Sequence, residues 1–184
     1  MGETRGWYSR GYLPHFDSPE TIQHIVFRAA DSLPAHIQGA RDDDPRRGAW
    51  EADQTLDLGL GARPLGDARA AEVAENALLH FDGERYRLLA WCVMPNHVHV
   101  LIEQMPGFPL PDVIRSWKTF TAARINALNS ASGTFWARDY FDRFMRNEEH
   151  LAQTVSYIEG NPVKAGLCRQ ATDWRFSSAN YSSC

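Results

Sequence analysis

Two apolar segments separated by only two residues constrain the fold of this chain most strongly. The segments YRLLAWCVM (86–94) and HVHVLIE (97–103) have the composition of β-strands, and Pro95 and Asn96 lie between them. Proline presets the backbone angle of a turn, and asparagine tolerates the conformation that follows it. We therefore predict two neighbouring strands joined by a tight turn, with the even-numbered valine and isoleucine residues of the second strand facing the core.

Further periodic segments flank this strand pair. The patterns predict strands near Ile22–Arg28 and over 134–146, and helices over 68–81, 112–128 and 148–160. The resulting order is that of an α+β protein with a ferredoxin-like βαββαβ core and one added C-terminal helix, which carries Tyr157. For this topology we expect parallel pairing of the crossover strands.

The domain organisation follows from length and local composition. A chain of 184 residues fits one domain spanning 1–184. The pattern weakens over 34–67, which contains three consecutive aspartates and a glycine-rich stretch, so this segment is a possible insertion. Residues 1–16 form a separate N-terminal arm in this interpretation.

The number of cysteines and the length of the apolar runs indicate where the protein is located. The three cysteines, Cys92, Cys168 and Cys184, are too scattered for a disulfide framework or a cysteine-rich zinc site. The longest apolar run, 88–94, is seven residues, far below the length of a membrane span. The N-terminus shows no apolar signal-peptide region. We therefore expect a soluble, cytoplasmic protein.

The charge of the chain is unevenly distributed. The net charge is −4 and the isoelectric point is near 6.0, which argues against a protein that coats nucleic acid through net charge alone. Residues 17–84 hold 14 acidic and 6 basic residues, whereas the rest of the chain holds 9 and 13. The acidity therefore belongs to one segment, and the remainder is net +4, so the overall charge of the chain does not describe every part of it.

His97 and His99 are the sharpest local signal for chemistry. Alternate residues of a strand point to one face, about 6.6–6.8 Å apart along the chain. Two imidazoles so placed can converge on one metal ion. The alternative is two polar residues on the exposed side of an alternating strand.

Tyr157 and Asn161 are the next candidates, since residues four apart share one helix face. Asn161 could then supply a third ligand beside a phenol. The alternative is an ordinary helix end, with Gly160 and Pro162 as stop signals and Tyr157 as a packing residue. Because the residue before a proline is disfavoured in helical geometry, we expect Asn161 in the last helical turn or just beyond it.

The order of several motifs resembles a known family. These are MPNHVHVL (94–101), the pair Tyr157-Ile158, NPVKAGL (161–167), FWARDYFD (135–142), WRFSS (174–178) and GWYSRGYLPHF (6–16). Together they resemble the single-tyrosine HUH transposases, and more narrowly the REP-associated tyrosine transposases, relatives of the IS200/IS605 enzymes. The resemblance is weakest over 34–67.

This resemblance implies a metal-dependent endonuclease and strand transferase that cuts single-stranded DNA next to hairpins. His97 and His99 would hold Mg²⁺ or Mn²⁺, with Asn161 as the third ligand. Tyr157 would be the nucleophile, leaving a 5′-phosphotyrosine and a free 3′-hydroxyl. The oligomeric state stays open between monomer and homodimer.

Aromatic and basic residues supply candidate DNA contacts, because single strands are bound by stacking and by cations on phosphates. In the N-terminal arm they are Arg5, Trp7, Tyr8 and Arg10, where the family pattern Gly-Thr-Trp-Tyr is present without its threonine. On the 112–128 helix they are Arg115, Lys118 and Arg124, for which a solvated helix face is the alternative.

Two other functions are compatible with these residues. One is a hairpin-DNA-binding protein of the same fold without catalytic activity; the other is a small zinc hydrolase using His97 and His99. Tyr140 is a rival nucleophile, although its aromatic neighbours favour a packing role. The remaining histidines (His15, His24, His36, His80 and His150) are interpreted as ordinary surface or core residues.

Overall fold

Four antiparallel strands form the central sheet in the computed structural model, which describes residues 6–9, 14–33, 55–57, 59 and 61–181. The strands are β1 (Gly6–Ser9), β2 (Pro14–Asp17), β3 (Ile22–Arg28), β4 (Tyr86–Val93), β5 (His97–Gln104) and β6 (Phe141–Phe144). The helices are α1 (Ala68–Leu79), α2 (Leu110–Leu128), α3 (Glu148–Lys164) and the short α4 (Ser178–Tyr181). Among the described residues, no helix has both the length and the apolar character needed to cross a membrane.

The strand order confirms the ferredoxin-like core. The sheet runs β4-β5-β3-β6, and β1 pairs with β2 in a separate hairpin. All pairings within the sheet are antiparallel, so the expected parallel pairing of the crossover strands is wrong. The strands that the first crossover joins, β3 and β4, run in the same direction, but β5 lies between them.

The sheet separates two helical layers. Val98, Val100 and Ile102 of β5 pack in the larger core cluster with residues of α1 and α2. On the opposite face, Leu101 packs with Ile158 of α3 and with alternate residues of β4. The predicted core side of β5 is confirmed, and its other face points toward α3.

Side-chain caps fix where α1 and α3 begin. Asp67 accepts a hydrogen bond from the Arg69 amide at 2.9 Å, and Asn147 accepts one from the His150 amide at 2.8 Å. Such caps satisfy amide groups that have no partner inside the helix. The start of α3 is therefore set just after β6, which directs the helix back across the sheet.

Helix α3 continues one turn beyond the predicted end at residue 160. Pro162 lies inside the helix, and the Ala165 amide donates to the Asn161 carbonyl at 2.9 Å. A proline in this position removes one intrahelical hydrogen bond. Ile158, Asn161 and Pro162 are all buried, so tertiary packing outweighs the local preference and keeps Asn161 within the helix.

The predicted last strand, over 134–146, is much shorter than expected. Only Phe141–Phe144 forms a strand, and Trp136 makes a single isolated bridge to Ala29. The Lys118 ammonium donates to the carbonyls of Ala137 and Arg138 at 2.6 and 2.9 Å. The residues before β6 therefore pair with the end of β3 only around Trp136, and the carbonyls that follow bind helix α2.

The N-terminal arm contains a β-hairpin that the sequence did not predict. Strands β1 and β2 pair in antiparallel fashion, and the hairpin is attached to β6. Asp142 forms the attachment: it accepts a hydrogen bond from the Phe16 amide at 2.9 Å and pairs with the buried His15 imidazole. Arg5 and Arg10 lie outside the described residues.

Most of the possible insertion, 34–67, also lies outside the described residues. Its described end approaches the central sheet at two points: Ala62 donates to the Asp31 carbonyl at 2.9 Å, and Leu65 donates to the Pro95 carbonyl at 2.8 Å. Gly61 has a φ of +94°, and a Cβ there would lie 2.5 Å from the Ser32 carbonyl oxygen. Glycine is required for this close approach, which brings residues 55–57 beside the β4–β5 turn.

Tyr86 provides a stability test of the larger core cluster. Its buried hydroxyl donates to the Leu78 carbonyl at 2.7 Å and accepts a hydrogen bond from Trp117 Nε1 at 2.9 Å. Tyr86→Phe leaves both buried partners unsatisfied, so we expect a loss of about 1–3 kcal/mol in the free energy of unfolding. Urea denaturation measures this loss, and Tyr181→Phe, at an exposed position, is the control.

The same tyrosine makes a pH-dependent contribution to stability. Burial raises the pKa of Tyr86 to about 12. Since the unfolded chain releases this proton near pH 10, the contribution is complete below pH 10 and is lost as the pH rises toward 12. We expect the stability difference between wild type and Tyr86→Phe to shrink over this interval; a constant difference would contradict the assignment.

Candidate metal centre

His97 and His99 lie side by side on the α3 face of β5. Both are completely buried, and their Nε2 atoms are 2.8 Å apart. The alternative of two exposed polar residues is therefore excluded. The period-two alternation of the strand gives both rings the same direction, as the sequence predicts.

Asn96 determines which nitrogen of His97 faces the site. Its Oδ1 lies 2.7 Å from His97 Nδ1, while its Nδ2 donates to the Leu56 carbonyl at 3.1 Å. With the amide oriented in this way, Oδ1 can only accept, so His97 Nδ1 must carry the proton. The Nε2 lone pair of His97 then points into the site.

His24 of β3 contacts the second histidine. Its Nε2 is 3.1 Å from His99 Nδ1, and the two rings stack with centroids 5.3 Å apart. Burial first, and then the neighbouring His99, hold the pKa of His24 well below its usual value. His24, interpreted from the sequence as an ordinary surface or core residue, is thus a buried imidazole in contact with His99.

Asp57 is the acidic residue that completes the cluster. Its Oδ1 lies 3.5 Å from His97 Nε2 and 3.7 Å from His99 Nε2, and its side chain is 3% exposed. Burial by itself would raise the pKa of this carboxyl, but the approach of His97 and His99 and the Lys164 ammonium lower it below the usual range. Asp57 is therefore a carboxylate.

Helix α3 brings Tyr157 and Lys164 to the other carboxylate oxygen. The Tyr157 hydroxyl donates to Asp57 Oδ2 at 3.3 Å, and Lys164 Nζ donates to the same atom at 2.9 Å. Lys164 Nζ is also 5.5 Å from the centroid of the Tyr157 ring. Both side chains are partly exposed, in contrast to the buried histidines behind them.

Asn161 lies between these two residues on the same helix face. It is completely buried, and neither polar atom of its side chain has a hydrogen-bond partner among the described residues. Residues at i, i+4 and i+7 of a helix line up on one side, so Asn161 shares the side of α3 that meets Asp57. A third ligand at this position stays a prediction.

The donor set fits a hard divalent cation. Asp57, His97 and His99 each offer a ligand atom, and these atoms all lie within 4.8 Å of one another. Neighbouring ligands of an octahedral ion with bonds of 2.0–2.1 Å are about 3 Å apart, close to the observed spacing of the two nitrogens. Asp57 Oδ1 accepts no hydrogen bond within the described residues, which leaves a buried oxygen available for coordination.

The aromatic residues of the N-terminal hairpin lie on a small exposed platform. Trp7 is 56% exposed, and its ring packs 5.0 Å from Phe16 and 6.1 Å from Phe144. The hydroxyl of Tyr8 lies 2.7 Å from that of Tyr140. Tyr140 is buried in this contact, in agreement with a packing role rather than that of a rival nucleophile.

The three basic residues of α2 have different surroundings. Arg115 pairs with Asp112 on the surface, and Arg124 is exposed with its guanidinium 5.6 Å from the Phe120 ring. Lys118 is bound to the two carbonyls described above, and burial lowers its pKa to about 8. Helix α2 packs on the sheet face opposite the histidine pair, so a phosphate contact by this stripe stays a prediction.

Sequence reasoning missed Asp57, His24 and Lys164. Asp57 stands between two leucines in a segment assigned to an insertion, and this apolar setting is the only local sign that its side chain is buried. His24 alternates with Ile22 and Val26, which indicates a shared sheet face. Lys164 lies beyond the predicted helix end, so its alignment with Tyr157 was not visible.

Comparisons with known proteins identify relatives of this chain. The family model described as "Transposase IS200 like" matches residues 68–161. A REP-associated tyrosine transposase of Escherichia coli (strain K12) is 26% identical over 108 residues, 58% of this chain and 63% of that protein. A relative from Haemophilus influenzae is 28% identical over 104 residues, 50% of this chain and 58% of that protein. The chain thus spans about three fifths of these curated relatives.

A solved structure shows the same fold. It is a REP-associated tyrosine transposase bound to a REP hairpin, with a TM-score of 0.62 and 17% identity, and the match covers 100% of this chain and 86% of that one. The matched family segment ends at Asn161 and includes both strands of the central hairpin and Tyr157. The chain therefore belongs to the IS200-like transposase family.

Proposed function

We propose that this chain is a metal-dependent endonuclease and strand transferase that acts on single-stranded DNA next to hairpins. The observation that supports it most is the contact of Tyr157 with Asp57, whose other oxygen faces the two histidines. A nucleophile and a candidate metal centre therefore meet at one carboxylate. Residues 1–184 would form one such domain, acting as a monomer or homodimer in the cytoplasm, where the DNA substrate is located.

Mg²⁺ or Mn²⁺ is the cation that these donors suit. Carboxylate and amide oxygens are preferred by both ions, and imidazole nitrogen is a common ligand of transition metals. Asp57, His97 and His99 would hold the cation, with Asn161 as a further oxygen ligand. When bound, it would polarise a phosphate oxygen and stabilise the charge that develops during cleavage.

The reaction is a transesterification at phosphorus. The Tyr157 oxygen attacks the scissile phosphate, the bond from phosphorus to the 3′-oxygen breaks, and a 5′-phosphotyrosine forms. The phenol loses one proton and the departing 3′-oxygen gains one, so no net proton is consumed. The new ester retains the energy of the broken bond, and attack by a 3′-hydroxyl can rejoin the strand.

Asp57 and Lys164 orient and polarise the phenol. The Tyr157 hydroxyl points at Asp57 Oδ2, which fixes the side chain at the edge of the site. The Lys164 ammonium, 5.5 Å from the ring centroid, favours the negative charge of a phenolate. A tyrosine with an ordinary pKa near 10 requires such help to react near pH 7.

The N-terminal arm is the proposed hairpin-binding element. Trp7 presents an exposed ring on a hairpin attached to the sheet, a suitable platform for a base. Tyr8, Arg5 and Arg10 would add contacts to bases and phosphates, and Arg115, Lys118 and Arg124 would form a second, weaker phosphate contact. The solved relative bound to a REP hairpin supports a hairpin as the partner.

Tyr157→Phe tests the nucleophile. With a labelled REP-like hairpin and Mn²⁺, we expect wild type to form a protein-linked DNA strand on a denaturing gel and Tyr157→Phe to form none. The hydroxyl is the only group removed, so hairpin binding in a mobility-shift assay should remain. EDTA should also abolish the adduct.

Tyr140→Phe is the matched test of the rival tyrosine. This variant should still form the adduct, because the Tyr140 hydroxyl bonds that of Tyr8 in the N-terminal hairpin, whereas the Tyr157 hydroxyl bonds Asp57. Cleavage by Tyr157→Phe at the wild-type rate would overturn the assignment. Hairpin binding by wild type without any cleavage in Mn²⁺ would instead indicate the catalytically inactive alternative.

Asp57→Asn tests the composition of the metal centre. The substitution keeps the shape of the side chain and removes its negative charge, so we expect the Mn²⁺ affinity to fall by at least about tenfold in calorimetry without DNA. Asp112→Asn, which removes a charge from the exposed surface of α2, should leave the affinity unchanged. Equal affinities in both variants would exclude Asp57 as a ligand.

Trp7→Ala tests the proposed stacking platform. Loss of one stacked base corresponds to about 1–3 kcal/mol, or about a 5- to 150-fold rise in the hairpin Kd. Tyr181→Ala is a matched control, since its ring is exposed to a similar extent, 57% against 56%. An unchanged Kd for Trp7→Ala, measured by fluorescence anisotropy at fixed salt, would remove Trp7 from the interface.

A further inference from the structure

His24 is a buried titratable group that the proposed reaction does not use. Its ring is 6% exposed and lies against His99 from the neighbouring strand β3. The register pairs Val26 with His99 and His24 with Leu101, so His24 and His99 are diagonal neighbours on one sheet face. Side chains at such positions are within reach of each other.

Proton accounting links this contact to metal binding. A neutral imidazole carries one N–H, so His99 can offer its Nε2 lone pair only when the proton is on Nδ1. That proton then points at His24 Nε2, 3.1 Å away. If His24 donated instead, a neutral His99 would carry its hydrogen on Nε2. That hydrogen would donate to His97 Nε2, 2.8 Å away, and would occupy the position of a cation.

We propose that His24 is a positioning residue: its Nε2 accepts the Nδ1 proton of His99 and so holds His99 in the tautomer whose Nε2 can bind a divalent cation. This inference rests on the proposed metal centre. It extends that centre by one residue from a strand that supplies none of the ligands.

The surroundings of His97 support the assignment independently. There, Asn96 Oδ1 accepts from Nδ1 and directs Nε2 into the site. Each of the two candidate ligands therefore has an acceptor of its own at Nδ1, one from the β4–β5 turn and one from β3. Hydrogen bonds of this kind around metal-binding histidines typically account for 10- to 100-fold in metal affinity.

The test compares two substitutions of His24 with the metal alone. His24→Gln places an amide oxygen the same number of bonds from the backbone as Nε2, whereas His24→Met fills the space without a comparable acceptor. We expect His24→Met to weaken Mn²⁺ binding about 10- to 100-fold in calorimetry and His24→Gln to restore most of it. His80→Met, at the exposed end of α1, should have no effect.

Nitrogen-15 NMR of the imidazole rings supplies a second measurement on the wild-type protein. In wild type saturated with Mg²⁺ we expect His99 to be protonated on Nδ1 and His24 to have an unprotonated Nε2. The metal-free protein is the reference state, in which the 2.8 Å contact of the two Nε2 atoms needs a hydrogen on one of them. Protonation of His24 on Nε2 in the Mg²⁺-saturated protein, an unchanged affinity in a folded His24→Met variant, or equal losses in the glutamine and methionine variants would each overturn the proposal.

These outcomes are separable from the failure of the proposed function. If wild type binds Mn²⁺ but forms no DNA adduct, the endonuclease assignment fails and the positioning role of His24 is still measurable. If wild type does not bind Mn²⁺, the metal centre itself fails. Should His24→Met not fold, the tautomers of His24 and His99 in Mg²⁺-saturated wild type still decide the question.

Discussion

The hydrogen-bond register between β3 and β5 is the constraint on which the candidate site depends. It pairs Val26 with His99 and Arg28 with His97, so that both histidines and His24 lie on the face covered by α3. A shift of one residue in β5 would reverse its faces and place the histidines in the larger core cluster. Val98, Val100 and Ile102 oppose such a shift, because their burial against α1 and α2 holds the strand in place.

The electrostatics of the site follow from placing one carboxylate among buried imidazole rings. Asp57 brings a negative charge to a position that is almost fully buried, where an unpaired charge is unfavourable. Lys164 balances part of that charge through Oδ2, and Oδ1 remains directed at the two histidines. The uneven charge distribution of the sequence thus has a local consequence, since the acidic 17–84 segment supplies the carboxylate and the basic remainder supplies the lysine.

The sequence is sufficient to predict the strands whose bounds follow from their own side-chain pattern. Strand β3 has the predicted bounds, and β4 and β5 differ from prediction by one residue each at a single end, because alternating apolar residues determine them. The histidine pair was visible for the same reason. Asp57 was not, since its position depends on how a poorly patterned segment folds back along the sheet through Gly61 and Leu65. The contact of His24 with His99 joins two strands that are 75 residues apart, which a local pattern does not report.

Pro162 shows how tertiary packing completes the arrangement. A helix ending at residue 160 would leave Asn161 and Lys164 without a defined direction relative to Tyr157. Because α3 continues through the buried proline, residues 157, 161 and 164 line up on one side of the helix. The phenol and the ammonium on this side converge on the same carboxylate oxygen. Asn161, whose amide has no hydrogen-bond partner within the described part of the chain, lies between them in the sequence. The hydrogen bond lost at the proline is therefore offset by burial of the residues around it, and this extra turn joins the nucleophile to the charged groups that orient it.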